Sequence, residues 1–172
     1  ALVQTTDFCP TTHCINCSLT MATEQILNEV ATAFINVFGT LEAASHVALR
    51  AANCMHTFAP SSVNPPPPMS NQDWANHLGK LQIIMTGFPI TPKEIHVNAS
   101  NSQIVIWATA IPKFKEEVKG LEEGDDGKEW DYVGEFMFIL NVDGEGKISR
   151  IVEFLDSLGT DRARGLMIRA WD

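Results

Sequence analysis

The sequence predicts an α+β domain: a cone-shaped, curved antiparallel sheet wrapped by three N-terminal helices. Three observations lead there. Helical periodicity dominates the first half of the 172-residue chain. Apolar runs of β character fill the second half. Two of those runs, within WDYVGEFMFILNVDGEGKISRIVEFLD, are joined by Asp143-Gly144-Glu145-Gly146, a strong hairpin signal. Helices followed by strands place the helices together on one face of the sheet. A strongly curved sheet closed by helices holds a pocket suited to a small apolar molecule.

Taken in order, residues 1–20 show no periodicity and form an extension to a domain over residues 21–172. Ile26, Val30, Phe34 and Val37 recur at helical spacing, which predicts a helix over residues 23–38 that stops at Gly39. A second helix is predicted over 42–52, then a short alternating piece over 54–58. The prolines at 65–68 read as a stiff, exposed connector. Ser70 with Asp73 opens a third helix with a near capping box. Trp74, Leu78, Leu81 and Met85 form its buried stripe. Strands are predicted over 94–98 and 103–111, separated by a turn at 99–102. An acidic loop at 116–131 leads into the hairpin, and a last helix is predicted from Thr160, with Arg162, Arg164 and Arg169 on its wet side, where they either guard the pocket mouth or keep the helix soluble.

Bulk properties exclude several classes. The formal net charge of -9 argues against nucleic acid and against an anionic membrane surface as partner. No apolar run is long enough to span a bilayer. No phosphate loop, dinucleotide fingerprint or G-x-S-x-G elbow is present. Cys9, Cys14 and Cys17 crowd the extension, with Cys54 further on. Their spacing lacks a second metal knuckle, so disulfides are expected before metal if the compartment is oxidising. The sequons at Asn16 and Asn98, together with a first residue that is not Met, tilt the expectation towards the secretory route. A reducing compartment with free thiols is the competing reading.

Glu135 and Glu153 interrupt apolar strands, where an ionised carboxylate is costly. Gly146 calls for a type I turn followed by a bulge, pairing Asp143 with Lys147. Counting back, Met137 faces Glu153, Glu135 faces Leu155, and the two glutamates share one face. An even loop would separate them, because one residue of slip flips a strand. Two carboxyls sharing an apolar pocket would resist double ionisation, leaving one to act as a general acid/base. The plainer reading is that both are wet.

His77 borders the stripe of the third helix, and His56 sits where the chain enters the cone. Both are candidate catalytic residues, with structural roles as the alternative. His46 and His96 read as surface residues. Trp74, Trp107, Phe136, Met137 and Tyr132 are candidate substrate contacts, although core packing is the default for aromatics.

The segment from Cys54 to Pro60, SNQDWANHLGKL, IVIWAT, EFMFIL and the ending GKISRIVEFLDS together resemble a fungal SnoaL-like protein of the nuclear transport factor 2-like superfamily. The resemblance covers about residues 23–170, and the ending is its most specific part. It implies a cone, dimerisation through the outer sheet face, no metal or organic cofactor, and acid/base side chains inside. Matching the ending places Glu153 at the acting position of the cyclases and Asp156 at their second acid. Those cyclases carry a His where Met137 stands, so Glu135 or a helix histidine would have to substitute. The expected function is a cofactor-free isomerase, cyclase or dehydratase of fungal secondary metabolism, working on a small apolar polyketide- or terpenoid-like intermediate. The chemistry is acid/base or substrate preorganisation for a pericyclic step. The alternatives are a secreted carrier and a dimeric interaction module, since fold alone does not dictate activity.

Overall fold

The computed structural model describes residues 22–120 and 126–171. Cys9, Cys14, Cys17 and Asn16 lie outside them.

Helix α1 (Glu24–Val37) starts where the Thr23 hydroxyl accepts the Ile26 N–H. It buries Leu27, Val30, Ala31 and Phe34 and packs on the sheet. Helix α2 is only Ala43–Ala48. The remainder of the predicted second helix becomes strand β1 (Arg50–Ala59). Helix α3 (Asn71–Ile84) has a full capping box, with Ser70 and Asp73 each satisfying the other's backbone N–H. Its buried face is Trp74, Leu78, Leu81 and Ile84. The proline connector is exposed at Pro66, Pro67 and Pro68 and half-buried at Pro65, and Pro65 and Pro66 border the cavity described below.

Strands β2 (Met85–Gly87), β3 (Ile90–Asn98), β4 (Gln103–Ala110), β5 (Lys113–Phe114), β6 (Gly134–Val142) and β7 (Ile148–Leu155) complete the sheets. The main sheet is five-stranded in the order β1-β7-β6-β4-β3, with β2 and β5 forming a small second sheet. The main sheet is antiparallel except at one edge, where β1 lies parallel to β7. Helix α4 (Ser157–Trp171) begins three residues earlier than predicted, because Asp156 Oδ1 accepts the Leu158 N–H at 3.1 Å. It packs against α3 and β6 and closes the open end of the cone.

The hairpin turn forms as expected from Gly146. Its φ is 76°, and the Asp143 N–H donates to Lys147 O at 2.8 Å. A second irregularity then intervenes. Val142 pairs with Ile148, but Asn141 pairs with Arg150, so Ser149 is an extra residue in β7. From there the register is displaced by one. Phe138, not Met137, lies opposite Glu153, and Phe136, not Glu135, lies opposite Leu155.

That single bulge separates the two glutamates. Glu153 points into the cone with Ile151, while Glu135 points out. On the outer face Glu135 meets Lys93 Nζ at 3.0 Å and accepts the Trp107 indole N–H. Met137 is 43 % exposed beside it. The expectation that Glu135, Met137 and Trp107 contribute to the pocket is therefore corrected: all three lie on the outer surface of the sheet. His46 is corrected in the other direction. It is buried, with its ring edge-on to Phe38.

Candidate active site

Inside the cone, β1 and β7 bring together residues far apart in the sequence. Parallel pairing sets His56 beside Ile151 and Phe58 beside Glu153. On its other side the His56 backbone is clamped by Met69, with N–H···O contacts of 2.9 and 2.8 Å. The His56 main chain is thus held on both flanks. The ring Nε2 lies 2.9 Å from Glu153 Oε2, and its Nδ1 lies 2.7 Å from Arg50 Nη2. Trp74 covers the assembly. It stacks on His56 with centroids 4.2 Å apart, and the Arg50 guanidinium carbon lies 4.7 Å from the indole centroid. One turn further along α3, His77 stacks on the same indole at 5.4 Å.

A cavity of about 210 Å³ opens against this cluster. Phe38, Leu41, Phe58, Phe88, Phe136 and Leu155 form apolar walls, and Glu153 and His77 are polar groups that line it. Tyr132 and Trp74 also border it, and Thr160 and Arg164 contribute from α4. Arg164, expected on the wet side of its helix, therefore belongs to the cavity wall. Asp156 is exposed and caps α4 instead of lining the cavity, which corrects its expected place.

Burial dominates the electrostatics. It pushes the Glu153 carboxyl up to about 8, against the opposing pull of His77 and Arg50. Burial, reinforced by the Arg50 charge, holds His56 well below the ordinary histidine value. The contact between His56 and Glu153 is accordingly a hydrogen bond from a neutral imidazole. Burial also lowers His77, with Glu153 pulling the other way, and lowers Arg50 to about 10. The Tyr132 phenol is pushed up to about 12 by burial and by Asp156. Glu135 is the opposite case: Lys93 and Trp107 hydrogen bonds hold it below the usual carboxylate range, so it carries no proton near neutrality.

Arg50 is the residue that sequence reasoning missed: it fell inside the helix predicted over 42–52, and alternation back from Cys54, His56 and Phe58 could not have found it, because the register of β1 against β7 shifts between Arg50 and Met55. Cys54 is a buried free thiol. At the Asn98 sequon, the side-chain oxygen accepts the Asn101 N–H at 3.2 Å. Among the described residues, no group of His, Cys, Asp and Glu side chains is arranged to hold a metal, and no helix is long and apolar enough to cross a membrane.

No protein-family model and no curated protein matches the sequence. Solved structures do. BvnE pinacolase from Penicillium brevicompactum is 18% identical, with 84% of this chain and 92% of that one covered and a TM-score of 0.70. PrhC from Penicillium brasilianum is 20% identical, with 86% and 89% covered and a TM-score of 0.68. A Catenulispora acidiphila protein with a ketosteroid isomerase-like fold is 13% identical, with 73% and 83% covered and a TM-score of 0.55. At such identities the likeness is one of architecture, and together with the curved sheet and its enclosed cavity it identifies the fold of this chain as the nuclear transport factor 2-like, SnoaL-like cone.

Proposed function

We propose that the protein is a cofactor-independent isomerase, cyclase or dehydratase acting on a small apolar polyketide- or terpenoid-like intermediate of fungal secondary metabolism. The observation that carries this reading is a carboxyl with a pKa near 8 on the wall of a hydrocarbon-lined cavity. A filled cone would favour an interaction module, and a cavity without polar groups would favour a carrier. Polar groups line this one, Glu153 and His77 among them, with Tyr132, Thr160 and Arg164 at its border. The likeness to a pinacolase and to other fungal proteins supports a rearrangement or cyclisation class.

In this reading Glu153 is the general acid. Its Oε2 is occupied by His56, which leaves Oε1 to donate to a carbonyl, hydroxyl or ether oxygen of the substrate. His77, neutral near pH 7, accepts a proton from a neighbouring carbon or hydroxyl. Donation to a hydroxyl with removal of a C–H proton expels water; donation and removal without a leaving group moves a double bond. Each group ends one proton out of balance and is reset through solvent. Aromatic walls at Phe58, Trp74 and Phe136 favour positive charge developing on the substrate.

The test is the pH profile of turnover, measured by mass spectrometry on a panel of small cyclic hydroxy-ketones and epoxides. With Glu153 as acid and neutral His77 as base, kcat/KM falls above about 8 as Glu153 ionises, and falls on the acid side as His77, held below its ordinary value by burial, takes up a proton. A rate that climbs through that ionisation would assign Glu153 as a base and sink the acid mechanism.

The outer sheet face is proposed as a homodimer interface. Trp107, Met137 and Phe154 lie in one register row across β4, β6 and β7. Met55, paired with Arg150 at the β1 edge, extends the exposed apolar surface beside them. Sedimentation equilibrium is expected to show a dimer that Met137→Glu converts to monomer. A monomeric wild type at tens of micromolar, on the order of the concentrations where stable interfaces persist, removes the proposal.

A further inference from the structure

Arg50 occupies an unusual position for a buried cation. It is 7% exposed, and among the described residues its guanidinium makes no ion pair with a carboxylate. Its Nη2 is instead directed at an imidazole nitrogen. A guanidinium only donates, so His56 Nδ1 must be an acceptor without a proton. A neutral ring then carries its proton on Nε2, and that N–H reaches Glu153 Oε2. The chain of donors runs one way, from Arg50 through His56 to Glu153.

We propose that Arg50 is a positioning residue: it holds His56 in the Nε2–H tautomer and thereby confines the exchangeable proton of Glu153 to Oε1, on the cavity side. The proposal rests on the reading of Glu153 as the acid. Without Arg50, the Nδ1–H tautomer becomes accessible, and Nε2 then offers a lone pair to Glu153. The carboxyl would turn its O–H inward towards that lone pair, or lose the proton to it as an imidazolium–carboxylate pair. In either case the cavity loses its donor, although no residue that lines the cavity has changed. The charge of Arg50 works in the same direction, since a cation at 2.7 Å opposes a second proton on the ring. The other ionisable groups around Glu153 come from separate elements: His77 from α3, Tyr132 from the segment before β6, and Arg164 from α4. His77 pulls on the Glu153 carboxyl by charge.

Nitrogen-15 NMR of the full chain labelled in histidine, without substrate at pH 7, reads the tautomer directly. His56 is assigned by the resonances lost in His56→Asn. The expected wild-type pattern is a bare, pyridine-type Nδ1 and a protonated, exchange-protected Nε2. Arg50→Met fills similar space against Trp74 but donates nothing, and should move His56 to the Nδ1–H or doubly protonated form. Arg50→Lys retains a donor and should restore the wild-type pattern. A wild-type ring protonated at Nδ1 overturns the proposal without recourse to any variant, as does an Arg50→Met spectrum unchanged from wild type. In turnover, Arg50→Met should lower kcat by on the order of 10- to 100-fold with KM unchanged. The expected spectra with an active Glu153→Gln variant would sink the acid assignment alone. Changed spectra with undiminished kcat in Arg50→Met would sink the positioning role alone.

Discussion

Glu153→Gln is expected to lose turnover by on the order of 10²- to 10⁴-fold, the usual worth of a positioned acid/base, while the fold survives. Gln keeps the shape of the side chain and an oxygen to accept the His56 N–H, but it has no proton to give. The same substitution should change the pH dependence of stability. Glu153 titrates near 4.5 when unfolded and near 8 when folded. Below 4.5 both states hold the proton and nothing is lost. Between 4.5 and about 8 the unfolded chain releases a proton that the folded chain retains, so stability falls as pH rises through that window. His46, whose value burial lowers from 6.5 to about 4, acts in the opposite sense: its contribution is present above 6.5 and is lost as pH falls through the folded value. His56 and His77 are lowered too and add to that acid-side loss. The wild type should therefore melt highest near pH 6 to 7, with losses on both sides, as roughly expected when buried histidines and a buried acid oppose each other. In Glu153→Gln the alkaline-side loss should flatten while the acid-side loss remains. A variant with full turnover, or one whose melting temperature keeps the wild-type alkaline slope, would mean that Glu153 is not the buried, proton-holding group described above.

Gly87→Ala is expected to be the most damaging small substitution in the domain. A Cβ at Gly87 would overlap the Gly39 carbonyl oxygen and lie 3.0 Å from its carbon. Both are main-chain atoms, so no side chain can swing aside. The approach is drawn tight by the hydrogen bond from Phe88 N–H to Phe38 O at 2.8 Å. Relief requires the end of α1 to part from β2, at a cost of about 3 kcal/mol or more. Gly79→Ala is the internal comparison. It sits in α3, where an added methyl group meets no heavy atom within 4 Å, and should gain about 0.5–1 kcal/mol from helix propensity. Urea denaturation of the two variants separates them. Equal midpoints would show that the contact between Gly39 and Gly87 relaxes freely.

Much of the framework was legible locally. The first helix, the Ser70 cap, the α3 stripe and the turn at Gly146 depend on short-range periodicity and turn chemistry, which a sequence displays directly. The end of α2 was not. Ala48 to Ala52 has good helix-forming composition, and pairing with β7 overrode it. The fourth helix was legible, with its arginines read either as guards of the pocket mouth or as a solvated face, and only the tertiary structure placed Arg164 at the cavity wall.

The sequence by itself determined that the chain would be helices over a curved sheet, that Gly146 would close the last hairpin with a bulge, and that Glu153 would be an acid embedded among apolar residues. Only the tertiary structure decided which neighbours that acid has. The extra residue at Ser149 shifts β7 by one against β6, sending Glu135, Met137 and Trp107 to the outer face and leaving Glu153 with Arg50, His56 and His77. The physical reason is that alternation has a period of two, so it specifies that a strand has an inner and an outer face but not which partner's face it meets. A hint was available in the odd spacing of Ile148 and Ile151, both fully buried, which an unbroken strand cannot satisfy. The parallel pairing of β1 with β7 joins residues 97 positions apart in His56 and Glu153, and no local pattern encodes that contact.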